Sequence, residues 1–203
     1  MSNMIELYPS AVSKEDCNTI IELFKNEDPK NLRPGCVGNR RVDHEIKIST
    51  DLSTHFYGKH PELAAIIYPA LVKGVEDYIE KYPALKIAYH GFTMHPNYNI
   101  QYYKDGEGYS AYHCEYAPYW HTEKAFRVLA WQLNLNDAEC GTEFMIQKQT
   151  ISANAGQLSI WPAYWTHTHR GVCPNIGDKY IATGWFLYRP ITPDNAKTLP
   201  ETD

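Results

Sequence analysis

The second half of this 203-residue chain is a succession of short runs rich in β-branched and aromatic residues, and this pattern constrains the fold most. Turn-forming clusters of Gly, Pro, Asn and Asp separate the runs at roughly ten-residue intervals. The runs are LKIAYHGF, NIQYYK, SAYHCEY, FRVLAWQLNL, EFMIQK, GQLSIWPA and KYIATGWFLY. Many short strands at this spacing predict a mainly β domain, either a sandwich or a barrel.

The first 84 residues carry helical signals instead. Ser13 and Asp16 are spaced to cap a helix, and an apolar stripe with helical periodicity follows them. A longer helix is predicted to start at Pro61 and to end before Pro83. Alternating apolar and polar residues over 42–48 predict one short strand. The chain is therefore predicted to be a single domain, 1–203, with a helical front over 1–84, a β core over 85–190 and a polar tail over 191–203.

Charge and cysteine content limit the partners and the compartment. The net charge is -5 with the two signs interspersed, which argues against nucleic acid or an anionic membrane as a partner. No apolar run reaches membrane-spanning length, and the N-terminal residues lack the pattern of a signal peptide. The five cysteines form an odd set without a CxxC pair and are expected to be free thiols. Together these features predict a cytoplasmic location.

Metal-ligating side chains occur three times at alternate positions. The pairs are His113 with Glu115, His121 with Glu123, and His167 with His169. Residues two apart in a strand point to the same side, so an H-x-E pair can direct an imidazole and a carboxylate at one ion. A histidine from another strand would complete a set of two nitrogens and one oxygen with open positions, which suits non-haem Fe(II). Zinc remains an alternative, because ligand type alone does not determine the metal.

The order of motifs between about 98 and 188 adds specificity. In sequence the motifs are Tyr103, Gly106, Tyr109 or Tyr112, His113 with Glu115, RVLAWQLNLND from Arg127, GTEF from Gly141, HRG from His169, and KYIATGW from Lys179. Lys179 stands ten residues after His169. With these spacings the sequence resembles the prolyl-4-hydroxylase-like branch of the 2-oxoglutarate- and Fe(II)-dependent dioxygenases, especially its compact microbial and phage-type members.

The resemblance implies a fold and a set of residue roles. The fold would be a double-stranded β-helix, a jelly-roll of two facing sheets like that of the cupins, with the N-terminal helices packed outside one sheet. The resemblance implies that His113, Glu115 and His169 bind Fe(II) and form the catalytic centre. It also implies that Lys179 pairs with the distal carboxylate of 2-oxoglutarate, with added hydrogen bonds from Tyr103 and Thr183.

The implied activity is hydroxylation of an unactivated C–H bond, in a peptide prolyl residue or in a small molecule, with release of succinate and CO2. The implied cofactor and co-substrates are Fe(II), 2-oxoglutarate and O2, and ascorbate is a possible additional reductant. The expected partner is a small-molecule or short peptide substrate, and the oligomeric state is not predicted. Two other functions are alternatives on the same fold: a cupin-like metal hydrolase or isomerase, and a non-catalytic binding module.

The sequence departs from the family pattern at two positions. The carboxylate ligand is Glu115 where the family usually has Asp, and Asn134 replaces a tyrosine. Asn134 shares a strand face with Gln132, so it either binds the co-substrate or is a satisfied polar residue on an outer face. Strand geometry alone lets either His167 or His169 face inward, and the family spacing favours His169. His121 and Glu123 break that spacing and are interpreted as loop or pocket-rim residues.

Overall fold

The computed structural model describes residues 3–38, 41–88, 92–116, 123–172 and 177–188. Within these ranges the α-helices are α1 (Lys14–Lys25), α2 (Pro61–Lys81) and α3 (Ala84–Ala88). The strands are β1 (Glu6–Tyr8), β2 (Leu32–Pro34), β3 (Thr50–His55), β4 (Phe92–Met94), β5 (Asn97–Tyr103), β6 (Arg127–Asn134), β7 (Ala138–Phe144), β8 (Gln149–Ala153), β9 (Leu158–Pro162), β10 (His169–Val172) and β11 (Lys179–Tyr188). Short 3-10 turns occupy Pro29–Asn31, Glu123–Phe126 and Trp165–His167. The tail predicted over 191–203 lies outside the described residues.

The strands form two antiparallel sheets that face each other. The larger sheet has the order β1-β9-β6-β11-β5-β3-β2, with β4 added beside β11, and the smaller sheet has the order β10-β7-β8. Phe144 of β7 and Ile151 of β8 pack against Ala130 of β6 and Trp161 of β9, which joins the inner faces of the two sheets. The predicted sandwich of short strands is therefore confirmed, and the space between its sheets is where a site can form.

Helices α1 and α2 cover the outer face of the larger sheet. Ser13 caps α1 as predicted, because its Oγ accepts a hydrogen bond from the backbone amide of Asp16, with an N···O distance of 3.0 Å. The buried stripes of both helices belong to one apolar cluster with the outward-facing residues of β5, β6, β9 and β11. Burying each large side chain in such a cluster contributes roughly 1.5–3 kcal/mol to folding. The outer face is thus an apolar core, which leaves the inner face available for polar residues.

A glycine sets how closely α2 approaches the sheet. A Cβ placed on Gly74 would lie 2.7 Å from the Leu158 side chain and 3.2 Å from that of Ile160, both on β9. The helix backbone therefore lies directly against this strand. No described helix is both long and apolar enough to cross a membrane.

Four segments differ from the expectation. The run SAYHCEY forms no strand beyond an isolated bridge at His113, and EFMIQK leaves β7 after Phe144 and makes a turn. The strand predicted over 42–48 is wrong, because this segment makes a turn. The Asp43 carboxylate accepts a hydrogen bond from the Glu45 amide, and the Asp43 carbonyl accepts hydrogen bonds from the amides of Ile46 and Lys47. The run LKIAYHGF was predicted as a strand, but its first part is α3, and β4 begins only at Phe92. The front is also less helical than expected, since β1, β2 and β3 all belong to the larger sheet.

Candidate metal centre

Three potential metal ligands lie close together in the described part of the chain. One ligand atom from each of His113, Glu115 and His169 lies within 4.8 Å of the others. The Oε1 atom of Glu115 is 3.7 Å from Nε2 of His113 and 3.6 Å from Nε2 of His169. Two imidazole nitrogens and one carboxylate oxygen therefore converge on one point, as the spacing of the motifs predicts.

Main-chain hydrogen bonds place all three ligands. The amide of His113 donates to the carbonyl of His169 at 2.9 Å, and the amide of His169 donates back at 2.9 Å. The Glu115 amide donates to the carbonyl of Ala163, just after β9, at 3.1 Å. His113 and Glu115 lie in an extended segment held by these contacts, while His169 is the first residue of β10. The backbone thus joins the two sheets at the centre.

The hydrogen bonds of the imidazoles determine which nitrogen can bind a metal. Nδ1 of His113 lies 3.0 Å from the carbonyl oxygen of Ala111, and Nδ1 of His169 lies 2.8 Å from that of His167. A carbonyl oxygen only accepts, so both Nδ1 atoms must carry a proton. In a neutral ring this leaves the lone pair on Nε2, the atom that faces Glu115.

The protonation of the site also favours a cation. Burial, reinforced by the neighbouring His113, lowers the pKa of His169 to about 4, so this imidazole is neutral at pH 7. Burial alone would raise the pKa of the Glu115 carboxyl. Electrostatic interactions with His113, Arg127 and His169 and a hydrogen bond from Trp185 outweigh that effect and lower the pKa of the Glu115 carboxyl. At neutral pH the centre therefore presents a neutral His169 imidazole and an ionised carboxylate, as metal binding requires.

The second oxygen of Glu115 is held away from the histidines. Trp185 Nε1 donates to Oε2 at 2.7 Å, and an Arg127 guanidinium nitrogen lies 3.3 Å from the same atom. The Arg127 guanidinium stacks on the Trp185 indole, 3.4 Å from the ring centroid. Oε1 is thus the oxygen directed at the metal position, and Glu115 is arranged to bind through one atom.

The centre opens into a cavity of about 790 Å³. Lys179, the first residue of β11, lines this cavity and is 5% exposed. Among the described residues no carboxylate forms an ion pair with it. A buried ammonium without a counter-ion is costly, so the cavity is suited to an anionic ligand beside the metal position.

Residues 98–187 match the sequence profile described as the 2OG-Fe(II) oxygenase superfamily. This segment is a 2-oxoglutarate- and Fe(II)-dependent oxygenase domain. It contains the three candidate metal ligands and Lys179, and the match places this segment among the oxygenases that use Fe(II), 2-oxoglutarate and O2. No curated protein sequence matches the chain.

The chain is similar in fold to several solved prolyl hydroxylases. The viral collagen prolyl hydroxylase of Paramecium Bursaria Chlorella virus-1, solved with 2OG, is 17% identical with a TM-score of 0.64, covering 92% of this chain and 97% of the viral one. A Pseudomonas putida prolyl-4-hydroxylase is 15% identical with a TM-score of 0.65 and coverages of 92% and 94%. A Trichoplax adhaerens prolyl hydroxylase bound to a hypoxia-inducible-factor peptide is 12% identical with a TM-score of 0.69 and coverages of 92% and 84%. These likenesses establish the double-stranded β-helix fold.

Polar residues form rows across the inner face of the larger sheet. One row is made of register neighbours on five strands: Ser159, Gln132, Thr183, Asn99 and Ser53. Thr183 and Gln132 line the cavity, and so does Tyr103, the register partner of Lys179. Tyr103 donates to the Gln101 side chain at 2.9 Å, and the Lys179 Nζ lies 5.8 Å from the Tyr103 ring centroid. The predicted co-substrate residues Lys179, Tyr103 and Thr183 therefore share one wall.

Asn134 lies deeper than these residues. Its side chain is fully buried and accepts a hydrogen bond from Gln132 Nε2 at 2.9 Å. It does not line the cavity, whereas Gln132 does. Asn134 Nδ2 has no hydrogen-bond partner within the described ranges. The outer-face alternative is thus wrong for this pair, and Asn134 can affect the cavity wall through Gln132.

His167 does not reach the centre. It belongs to a 3-10 turn rather than to a strand, so the alternation assumed for positions 167 and 169 does not apply. Its Nε2 lies 2.9 Å from the Asn3 carbonyl and its Nδ1 lies 3.0 Å from the Thr166 hydroxyl. Only its main-chain carbonyl acts on the site, by accepting from His169 Nδ1. His121 lies outside the described residues, and no side-chain position is described for Glu123.

Two residues behind Glu115 were not assigned a role from the sequence. Arg127 opens the run RVLAWQLNLND, and Trp185 closes KYIATGW. In the sequence both residues were noted only as members of two motifs of the family, without a role of their own. Their common function depends on β6 and β11 being neighbours in the sheet, because that pairing places both side chains behind Glu115.

We expect Trp185→Phe to weaken Fe(II) binding by about tenfold while keeping the fold. The phenyl ring preserves most of the stacking surface but removes the 2.7 Å donor to Oε2, and losing a partner of a metal ligand typically costs 10–100-fold in affinity. Anaerobic Fe(II) titration measures the effect. Trp165→Phe is the matched control, because Trp165 is 68% exposed and should change nothing. Equal affinity for Fe(II) in both variants would show that Trp185 does not orient Glu115.

Proposed function

We propose that this oxygenase hydroxylates an unactivated C–H bond of a prolyl residue in a peptide, or of a small molecule, and converts 2-oxoglutarate to succinate and CO2. The observation that carries the proposal is the combination of three converging side chains with a buried Lys179 in the same cavity, where no carboxylate of the described ranges pairs with it. A structural metal site would need the ligands but would gain nothing from a buried cation, and a hydrolase would gain from it only with an anionic substrate.

The ligand set fits Fe(II). His113 and His169 would bind through Nε2, and Glu115 would bind through Oε1. Three protein ligands on one side of an ion leave positions for a bidentate keto-acid and for O2. Bound Fe(II) supplies the redox chemistry that activates O2, and the protein supplies ligand geometry and a shielded site.

The chain's own residues would hold 2-oxoglutarate at its far end. Lys179 provides a buried positive charge for the distal carboxylate, and Thr183 provides a hydroxyl on the same face of β11. The indole Nε1 of Trp161 is buried beside His169 and has no acceptor in the part of the chain that the structure describes. It is a further donor on the cavity wall toward an oxygen of a bound acid.

The size of the cavity supports a substrate beside the keto-acid. 2-Oxoglutarate has ten non-hydrogen atoms, and even at about 30 Å³ per atom, the share of one liquid water, it would take only about 300 Å³. More than half of the 790 Å³ therefore remains. The neighbours' names support a prolyl residue, because the three structures are a collagen prolyl hydroxylase, a prolyl-4-hydroxylase, and a prolyl hydroxylase bound to a peptide.

The decisive test is anaerobic titration of Fe(II)-loaded protein with 2-oxoglutarate, followed by exposure to O2. We expect a visible charge-transfer absorption band on addition of the keto-acid. Slow formation of succinate without any added substrate should follow. A screen of prolyl peptides and small metabolites for faster succinate release then identifies the substrate. Correctly metallated protein that shows neither the band nor succinate would contradict the proposal and favour a hydrolase or a binding module.

A further inference from the structure

A buried ion pair lies in the cavity wall and belongs to neither the metal ligands nor the proposed co-substrate residues. The Nζ atom of Lys47 lies 2.7 Å from Oδ2 of Asp51, and both residues line the cavity. Their side chains are only 4% and 11% exposed. The cost of desolvating two charges can exceed the energy of their attraction, so apolar residues in place of such a pair are often neutral or stabilising. Stability alone therefore does not account for this pair.

The pair connects the two sheets at one side of the cavity. Asp51 lies on β3 of the larger sheet, where Gln101 of β5 is its register partner. Lys47 forms an isolated bridge with Tyr109, and the Tyr109 carbonyl accepts a hydrogen bond from the Gly171 amide of β10 at 2.8 Å. Main-chain pairing thus places Lys47 beside the smaller sheet. The contact between Lys47 and Asp51 therefore runs from one sheet to the other.

The contacts around Asp51 hold its carboxylate in one orientation. Oδ1 accepts a hydrogen bond from the Ser49 hydroxyl at 2.7 Å, and Oδ2 accepts one from Lys47. The backbone of Gly35 packs directly against these partners, because a Cβ placed there would lie 2.1 Å from Ser49 Oγ and 2.8 Å from Lys47 Cε. The Asp51 carboxylate is therefore a fixed acceptor in the cavity wall.

A first series of contacts runs from Asp51 to Lys179. The Nε2 atom of Gln101 donates to Oδ2 of Asp51 at 3.3 Å. Because a carboxylate only accepts, this contact determines which end of the Gln101 amide faces Asp51, and the other end accepts from the Tyr103 hydroxyl at 2.9 Å. The Tyr103 ring lies beside the buried Lys179, with 5.8 Å between Nζ and the ring centroid. Asp51 therefore holds, through two side chains, the ring that packs against Lys179.

A second series of contacts runs from Lys47 to the metal centre. The Nζ atom of Lys47 lies over the Tyr109 ring, 5.9 Å from its centroid. The Tyr109 ring in turn stacks on the His113 imidazole, with 3.7 Å between the centroids and 7° between the planes. The imidazole is thus held by this stack as well as by the Ala111 carbonyl at Nδ1. Lys47 therefore limits where the ring that supports a metal ligand can lie.

We propose that Lys47 and Asp51 are positioning residues that set the co-substrate wall and the metal centre relative to each other. Asp51 acts on Lys179 through the first series of contacts. Lys47 acts on His113 through the second. The inference rests on the proposed function, because it assigns the pair a role in the binding of 2-oxoglutarate and Fe(II). Since the pair spans the two sheets, its loss loosens both sides of the site without removing a metal ligand or Lys179.

The central test is a double variant, Lys47→Met with Asp51→Leu, which replaces both charges by apolar side chains. No buried charge is left without a partner, so thermal unfolding should show a folded protein. The Kd for Fe(II), from anaerobic titration without 2-oxoglutarate, should rise roughly tenfold, as when a residue that supports a metal ligand is lost. The Kd for 2-oxoglutarate, followed through the charge-transfer band at saturating Fe(II), should also rise roughly tenfold, because Gln101 loses its charged partner.

Each series of contacts is also tested alone. Tyr109→Leu should lower the affinity for Fe(II) roughly tenfold, whereas Tyr109→Phe, which keeps the stacked ring, should retain it. Gln101→Leu should weaken 2-oxoglutarate binding and leave Fe(II) binding unchanged. Lys73→Met with Asp77→Leu is the matched control, because this ion pair has the same i,i+4 spacing but lies exposed on α2.

A folded double variant that binds Fe(II) and 2-oxoglutarate as tightly as wild type would show that the pair is only structural and would overturn the inference. Loss of one affinity without the other would overturn it as well, because the pair would then not connect the two sides of the site. If the double variant does not fold, wild-type affinities in Tyr109→Leu and Gln101→Leu would overturn it. Wild-type protein that binds Fe(II) but shows no charge-transfer band with 2-oxoglutarate would instead contradict the proposed function.

Discussion

His169→Ala is expected to lose bound Fe(II) and 2-oxoglutarate turnover together, whereas His167→Ala retains both. The Nε2 of His169 lies 3.6 Å from Glu115 Oε1 and faces the metal position, while both ring nitrogens of His167 contact groups outside the centre. Removing one of three ligands should lower Fe(II) affinity by more than roughly 100-fold, because residues that only support ligands already account for 10–100-fold.

The two histidine variants control for each other. Both remove a buried imidazole only two positions apart, so any general effect of truncation in this segment is shared. His167→Ala leaves the Asn3 carbonyl without its partner and should cost about 1–3 kcal/mol of stability, which thermal unfolding measures. Iron content and substrate-free succinate formation are then compared at a temperature where both variants are folded. Stoichiometric iron in folded His169→Ala would overturn the ligand assignment.

Lys179→Ala is expected to weaken 2-oxoglutarate binding by roughly 30- to 150-fold, equivalent to about 2–3 kcal/mol. The side chain is 5% exposed, so the charge-assisted bond it would form to a carboxylate is poorly screened by water. Iron binding should not change, because the ligands come from other segments.

The measurement is a 2-oxoglutarate titration followed through the charge-transfer band, with iron content determined separately. Lys104→Ala provides a matched control, since Lys104 follows the register partner of Lys179 but is exposed and lies outside the cavity lining. Thr183→Ala should give a smaller loss, of about threefold to tenfold, because a neutral hydrogen bond contributes about 0.5–1.5 kcal/mol. Wild-type affinity in folded Lys179→Ala would show that another group binds the distal carboxylate.

Local signals predicted the two longer helices and four of the strands, β5, β6, β9 and β11. Ser13 and Pro61 begin helices because a side-chain cap and a proline at the first helical position act within one turn. The strand prediction for 42–48 was wrong because the turn at Asp43 provides hydrogen-bond acceptors for the same backbone amides that a strand would pair. Alternating hydrophobicity did not reveal that competition.

The convergence of His113, Glu115 and His169 was predictable because the motif spacing encodes it, whereas the groups that support Glu115 were not. Arg127 and Trp185 reach Glu115 only through the pairing of β6 with β11, and Lys47 meets Asp51 only because a turn precedes it. His167 was ambiguous for a related reason, since a strand was assumed where the chain makes a 3-10 turn. Contacts that depend on sheet order or on unrecognised turns carry no periodic signal in the sequence.

The reciprocal main-chain hydrogen bonds between His113 and His169 limit which substitutions can move the two imidazoles. Both nitrogen ligands are positioned by backbone, so a substitution elsewhere must distort the jelly-roll itself to move them. The Glu115 carboxylate is different, since two side chains, Arg127 and Trp185, hold its Oε2 atom by hydrogen bonds. Glu115 can therefore be longer than the usual aspartate while the histidines stay in place. The carboxylate is therefore the one of the three side chains whose position can change without moving the backbone that holds the histidines, provided that Arg127 and Trp185 keep a partner.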